Sequence, residues 1–127
     1  MKNLELGGFV AMRCEDKDRI QIVSVSGEVD LASAPRLHAV IWQAKERADD
    51  APPRVIVDLS EVEFLDTAGL GAVLEESNAI RQSGGRLCLV AREGPVTRLL
   101  EITGLSDSFE LYTELDRAVG SCALVPA

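Results

Sequence analysis

Motifs that carry chemistry are scarce in this chain of 127 residues. A single histidine, His38, has no cysteine or aspartate at ligand spacing, so it reads as a structural or exposed residue and not as a metal ligand. Three cysteines, Cys14, Cys88 and Cys122, form no CxxC pair and cannot all be bridged within one chain, which fits a reducing cytosol. Cys88 lies in the apolar run Leu87-Cys88-Leu89-Val90 and reads as a small core residue. No G-x-G-x-x-G, Walker A loop or G-x-S-x-G elbow occurs, so the common dinucleotide, phosphate-loop and hydrolase signatures are missing. No apolar run approaches the roughly 18 residues of a membrane span, and no apolar core follows Lys2 as in a secretory leader. A cytoplasmic protein with no membrane partner, metal or cofactor is expected.

Basic residues are also in deficit, 13 against 21 acidic ones, for a net charge of −8. Phosphate backbones require a basic face, so nucleic acid is not an expected partner. A basic protein partner fits the charge, and so does solubility alone. An apolar fraction of 46% and the absence of internal repeats or a second-domain linker indicate one soluble globular domain.

Periodicity orders this domain. Met1 to Gly8 is a loose start, Phe9 to Arg13 a short edge strand, and Glu15 to Arg19 a charged turn. Ile20 to Ser26 alternates as a half-buried strand ended by Gly27. Ser33 or Asp30 can cap a helix that opens with Pro35 and runs to about Ala48, with Leu37, Ile41 and Ala44 on one face. Arg54 to Leu59 is an apolar central strand ending at Asp58-Leu59, followed by a short acidic connection. A second helix carries Leu70, Val73, Leu74, Ser77 and Arg81, then Arg86 to Ala91 forms a strand and Val96 to Thr103 a third helix. Phe109 to Leu111 is a last strand, and Glu114 to about Cys122 a last helix capped by Thr113, with a frayed tail beyond. Such alternation implies an α/β fold: a mixed, mostly parallel sheet of about five strands with about four helices packed on it.

The segment Val62-Glu63-Phe64-Leu65-Asp66-Thr67-Ala68-Gly69-Leu70-Gly71 is the most informative. It places one hydroxyl, Thr67, where helical periodicity begins, a position suited to carrying a phosphate. Thr67 also reads as a simple N-cap, and Asp66 as a cap or as a charge that steers an incoming molecule. Asp58 is expected to accept backbone hydrogen bonds from the Thr67 turn and hold its shape. Glu28 and Asp30 should lie at the same end of the sheet, as docking residues or as a solvated turn. Gly69 and Gly71 suggest close backbone approach, by a partner or by the protein's own sheet.

Ser26-Gly27-Glu28-Val29-Asp30, Val57-Asp58-Leu59-Ser60, Phe64 to Gly71, Gly84-Gly85-Arg86-Leu87 and Leu100 to Leu105 together resemble the STAS-domain anti-sigma factor antagonists of bacteria. The resemblance covers roughly residues 9–122, leaving 1–8 and 123–127 outside the domain. It implies a protein that is not an enzyme but binds an anti-sigma factor, itself a serine/threonine kinase with a histidine-kinase-like ATPase fold, and so releases a sigma factor. Phosphorylation of the hydroxyl after the motif aspartate, here Thr67 after Asp66, ends that binding, and a phosphatase reverses it. Asp66 to Gly71 with Glu28 and Asp30 would form the docking surface of a monomer or weak dimer. Where the family commonly has two hydroxyls, this chain reads Asp-Thr-Ala-Gly, leaving one acceptor. The alternative is a binding subunit of a lipid or anion transport system; an enzyme with Asp66 and Thr67 as base and nucleophile lacks a His or Lys partner for Thr67.

Overall fold

The computed structural model describes residues 9–47 and 52–123. Five strands, β1 (Val10–Lys17), β2 (Ile20–Val29), β3 (Arg54–Leu65), β4 (Arg86–Val90) and β5 (Glu110–Tyr112), form one sheet in sequence order. The first pair is antiparallel and all others are parallel. Four helices, α1 (Ala34–Glu46), α2 (Thr67–Gln82), α3 (Pro95–Thr103) and α4 (Leu115–Ala123), complete the expected α/β architecture, and a single 3-10 turn spans Ser106–Ser108.

Strand alternation divides the core between the two faces of the sheet. Val23, Val25, Val55, Val57, Leu87 and Leu89 point to one face, where they pack with Leu37 and Ile41 of α1, Val73 and Ile80 of α2, and Leu100 of α3. Ile20, Ile22, Ile56, Cys88 and Val90 point to the other, covered by Ala118 and Cys122 of α4. Cys88 is thus the small core residue that its apolar run implied.

Three strands are longer than their sequences suggest. The charged run after Arg13 is not a turn: β1 continues to Lys17, and the reversal is a two-residue hairpin at Asp18 and Arg19 with φ of 54° and 68°. Gly27 does not end β2. It holds φ +92°, and a Cβ there would lie 1.8 Å from the Phe9 carbonyl oxygen, so glycine lets β1 pass while β2 runs on to Val29. The acidic connection after Leu59 is also strand, for Glu61, Val62, Phe64 and Leu65 pair with Ser26, Gly27, Glu28 and Val29. Pairing of β3 with β4 stops at Asp58 and Val90, so this extension lies beyond the buried sheet centre and tolerates exposed Glu61 and Glu63.

Helix α1 ends at Glu46, two residues before the expected stop. The loose start, Met1 to Gly8, and the tail from Leu124 lie outside the described residues.

Candidate functional site

Val29 and Leu65, adjacent in register at the ends of β2 and β3, feed the turns that begin α1 and α2. The Asp66 N–H donates to the Val29 carbonyl at 3.1 Å, so the α2 turn is tied to the end of β2. Asp66 is the N-cap of α2. Its Oδ1 accepts the Gly69 N–H at 3.0 Å, satisfying one of the helix's free donors. Thr67 is therefore not the cap. It occupies the first helical position, exposed, with its hydroxyl unneeded by the capping interaction.

The next residues split by helical phase. Gly69 is buried, and a Cβ on it would meet Leu65 Cδ1 at 2.6 Å and Val29 Cγ1 at 2.8 Å. Its close approach is to the protein's own strands. Leu70 is likewise buried in the α1/α2 core. Both were expected on the docking surface and are withdrawn from it, because the helix must turn that side towards the sheet. Ala68 is half-buried and Gly71 exposed, with nothing within 4 Å of where a Gly71 Cβ would stand.

Ala68 and Gly71 instead line a shallow groove between the first turns of α1 and α2. Leu31, Ala34, Pro35, Ala39 and Ala72 complete its apolar floor, with His38 and Glu75 at its rim. Leu31 is 76% exposed and extends the apolar surface that this groove presents. The sequence signal was an apolar residue inside the polar turn Asp30 to Ser33, and it was not singled out.

Asp30 and Glu28 lie at this same end of the sheet, but Asp30 is committed internally. Its Oδ1 accepts the N–H groups of Ala32 at 3.0 Å and Ser33 at 3.1 Å, while its own N–H donates to Ser33 Oγ at 2.9 Å. Glu28 is half-buried in the strand beside Phe64.

Asp58 does not support the Thr67 turn. Because β3 continues to Leu65, Asp58 stands seven residues before that strand's end, about 23 Å away at strand rise. Val57 and Leu59 face α1 and α2, so alternation turns Asp58 to the opposite face. There it accepts Ser60 Oγ at 2.6 Å and the Ser60 N–H at 3.0 Å.

A polar bridge behind the groove escaped the sequence reading. Glu76 of α2 is only 3% exposed, yet carries a carboxylate between helices. His38 Nδ1 lies 3.1 Å from its Oε2 and Lys45 Nζ 3.6 Å from its Oε1, while His38 Nε2 reaches Glu75 at 3.2 Å. Two α1 side chains seven positions apart thus meet a buried carboxylate on α2 and link the helices that form the groove. His38 is structural, as its isolation suggested. Among the described residues, no group of three or more His, Cys, Asp or Glu is placed to hold a metal ion, and no helix is long and apolar enough to cross a membrane.

Comparison with known proteins is consistent along most of the chain. The STAS domain family matches residues 11–118. An anti-sigma-F factor antagonist of Mycobacterium tuberculosis, RsfB, is 31% identical over 110 residues, 87% of each chain. An anti-sigma-B factor antagonist of Listeria monocytogenes is 34% identical over 104 residues, 80% of this chain and 86% of that one. The crystal structure of an anti-sigma factor antagonist from Mycobacterium paratuberculosis superposes with a TM-score of 0.79 at 35% identity, covering 91% of this chain and 95% of its own. With fold and sequence in agreement, the chain belongs to the STAS domain family, within its anti-sigma factor antagonists.

Proposed function

We propose that this protein binds an anti-sigma factor that is also a serine/threonine kinase of the histidine-kinase-like ATPase fold, thereby freeing a sigma factor, and that phosphorylation of Thr67 ends the complex until a phosphatase restores it. The observation that carries this reading is the exposed Thr67 hydroxyl at the first position of α2, one residue past the capping carboxylate and beside an open apolar groove. The groove floor, built of alanines, Pro35, Gly71 and the exposed Leu31, supplies apolar contact area. Asp66, Glu63 and Glu75 give the surround a negative charge suited to a basic partner.

The switch follows from where the new charge would be felt. Phosphate adds about −1.5 to −2 charges and three acceptor oxygens. Within the protein, the α2 N-terminus favours an anion by about 0.3–1 kcal/mol, and repulsion from the neighbouring Asp66 opposes it by a similar amount at this exposed position. The fold therefore survives modification. A partner closing over the groove would desolvate that dianion at a cost of several kcal/mol, and every 1.4 kcal/mol is tenfold in affinity. Blocking at the interface suffices, with no rearrangement of α2.

The test is incubation with the candidate kinase and ATP, followed by mass mapping of the product. One phosphate on the peptide containing Thr67, absent in Thr67→Ala, is expected; label persisting in that variant overturns the assignment. Thr67→Glu should abolish pairwise binding to the kinase while leaving the melting temperature nearly unchanged. A likeness to a sulfate transporter family protein of Wolinella succinogenes, TM-score 0.71 at 18% identity over 87% of this chain and 89% of that one, is a likeness of fold alone. The transport reading would be favoured only if no kinase of that class bound the protein.

A further inference from the structure

On the face of the sheet turned away from Thr67, two cysteines meet. Cys88 of β4 and Cys122 of α4 are both wholly buried, with their sulfurs 3.7 Å apart. We propose that this pair is a redox site, oxidised by hydroperoxides to a disulfide that fastens α4 to β4 and reopened by thiol reductants.

Geometry favours closure. A disulfide needs its sulfurs at about 2.05 Å, so they must approach by roughly 1.7 Å. Helix α4 is a nine-residue element that buries only Ala118 and Cys122.

A polar clamp holds the two sulfurs in register. Arg86, on the same strand as Cys88, donates from Nη2 to Ser121 Oγ at 2.6 Å, from Nη1 to the Ser121 carbonyl at 2.9 Å, and from Nε to Glu110 at 2.8 Å. Tyr112 donates its hydroxyl to Ser121 at 2.7 Å. Arg54 adds a bond to the Cys122 carbonyl at 3.3 Å.

The surroundings also divide the chemical roles. The hydrogen bond between the two sulfurs lowers the Cys122 thiol, helped by the positive charges of Arg86 and Arg54, while the same bond and burial push Cys88 up. With Arg54 on its own carbonyl and Arg86 on the adjoining Ser121, Cys122 has the more cationic surroundings and is the nucleophile. Its thiolate attacks the peroxide O–O bond, forming the S–O bond of a sulfenic acid, and the departing hydroxide takes up a proton to leave as water. The Cys88 sulfur then attacks Cys122 Sγ, forming the S–S bond and expelling the sulfenic oxygen, which leaves as a second water with the Cys88 proton. Both thiols lose one electron each and the peroxide gains two. Cys14 has no second sulfur beside it, and burial raises its thiol.

The experiment treats the full chain with hydrogen peroxide, alkylates remaining thiols and maps peptides by mass. The expected product has lost two hydrogens, joins Cys88 to Cys122, reverts with dithiothreitol, and melts roughly 5–15 °C higher. Cys14→Ser should retain this product and Cys122→Ser should abolish it. Three results would each overturn the proposal: both core cysteines alkylated at a dose that consumes Cys14, separate sulfinic acids on Cys88 and Cys122, or a disulfide that includes Cys14. The wild-type map decides the matter even where a variant folds poorly.

Discussion

The turns that open α1 and α2 use the same parts to opposite ends. Each leaves the end of a parallel strand, each places an aspartate first, and each carries one hydroxyl residue close behind. In the α1 turn the hydroxyl belongs to Ser33, three positions after Asp30, and it folds back to accept the Asp30 N–H. In the α2 turn it belongs to Thr67, immediately after Asp66, where the helix start turns it outward while Asp66 reaches on to Gly69. Spacing separates the two. Here the hydroxyl three residues from its aspartate closes a turn, whereas the one directly adjacent takes no part in the cap.

The largest expected effect tests that contrast directly. Under kinase and ATP, Thr67→Ala should lose all phosphate incorporation and Ser33→Ala should keep wild-type stoichiometry by intact mass. Equal loss in both would show that the α1 turn is also read by the kinase.

The second comparison is between the glycines of the α2 turn. Gly69→Ala forces a methyl against Leu65 and Val29 and should cost about 1–3 kcal/mol in urea unfolding. Gly71→Ala meets nothing and should be neutral or stabilising by up to about 1 kcal/mol. A third, smaller contrast lies in the aspartates. Asp30→Ala gives up two backbone contacts and should cost about 1–2 kcal/mol, Asp66→Ala about 1 kcal/mol, both read from denaturant midpoints.

The smallest effect is a control outside both turns. The hydrogen bond from Arg86 holds the Glu110 carboxyl below its usual range. A depressed carboxylate contributes stability above its unfolded value of about 4.3 and loses it as pH falls through the folded value. With the side chain 44% exposed, that contribution is below about 1 kcal/mol. Melting curves taken down from pH 5 should therefore fall alike in Thr67→Ala and Ser33→Ala, with only Glu110→Gln flattening the decline.

Much of the fold was legible because buried strands and amphipathic helices differ in period, and the sheet centre obeys that rule. Legibility failed where the sheet outruns its cover. Glu61 and Glu63 read as a connection since beyond Val90 no fourth strand continues and β3 is free to carry exposed charge. That misreading also misplaced Asp58, whose role depended on the strand ending beside it. The placement of Thr67 at the start of α2 was legible because helical periodicity begins there. Leu31, Glu76 and the Cys88–Cys122 contact were not, since each depends on elements that meet only in three dimensions.

The vacancy above Gly71 has a consequence for how such a regulator diversifies. Since the scaffold makes no demand on that position, each added carbon would alter only the relief that a visitor encounters. Under the proposed docking of a partner on this groove, duplicated copies can thus drift apart in whom they recognise, one methyl at a time, without risking the architecture that both inherit.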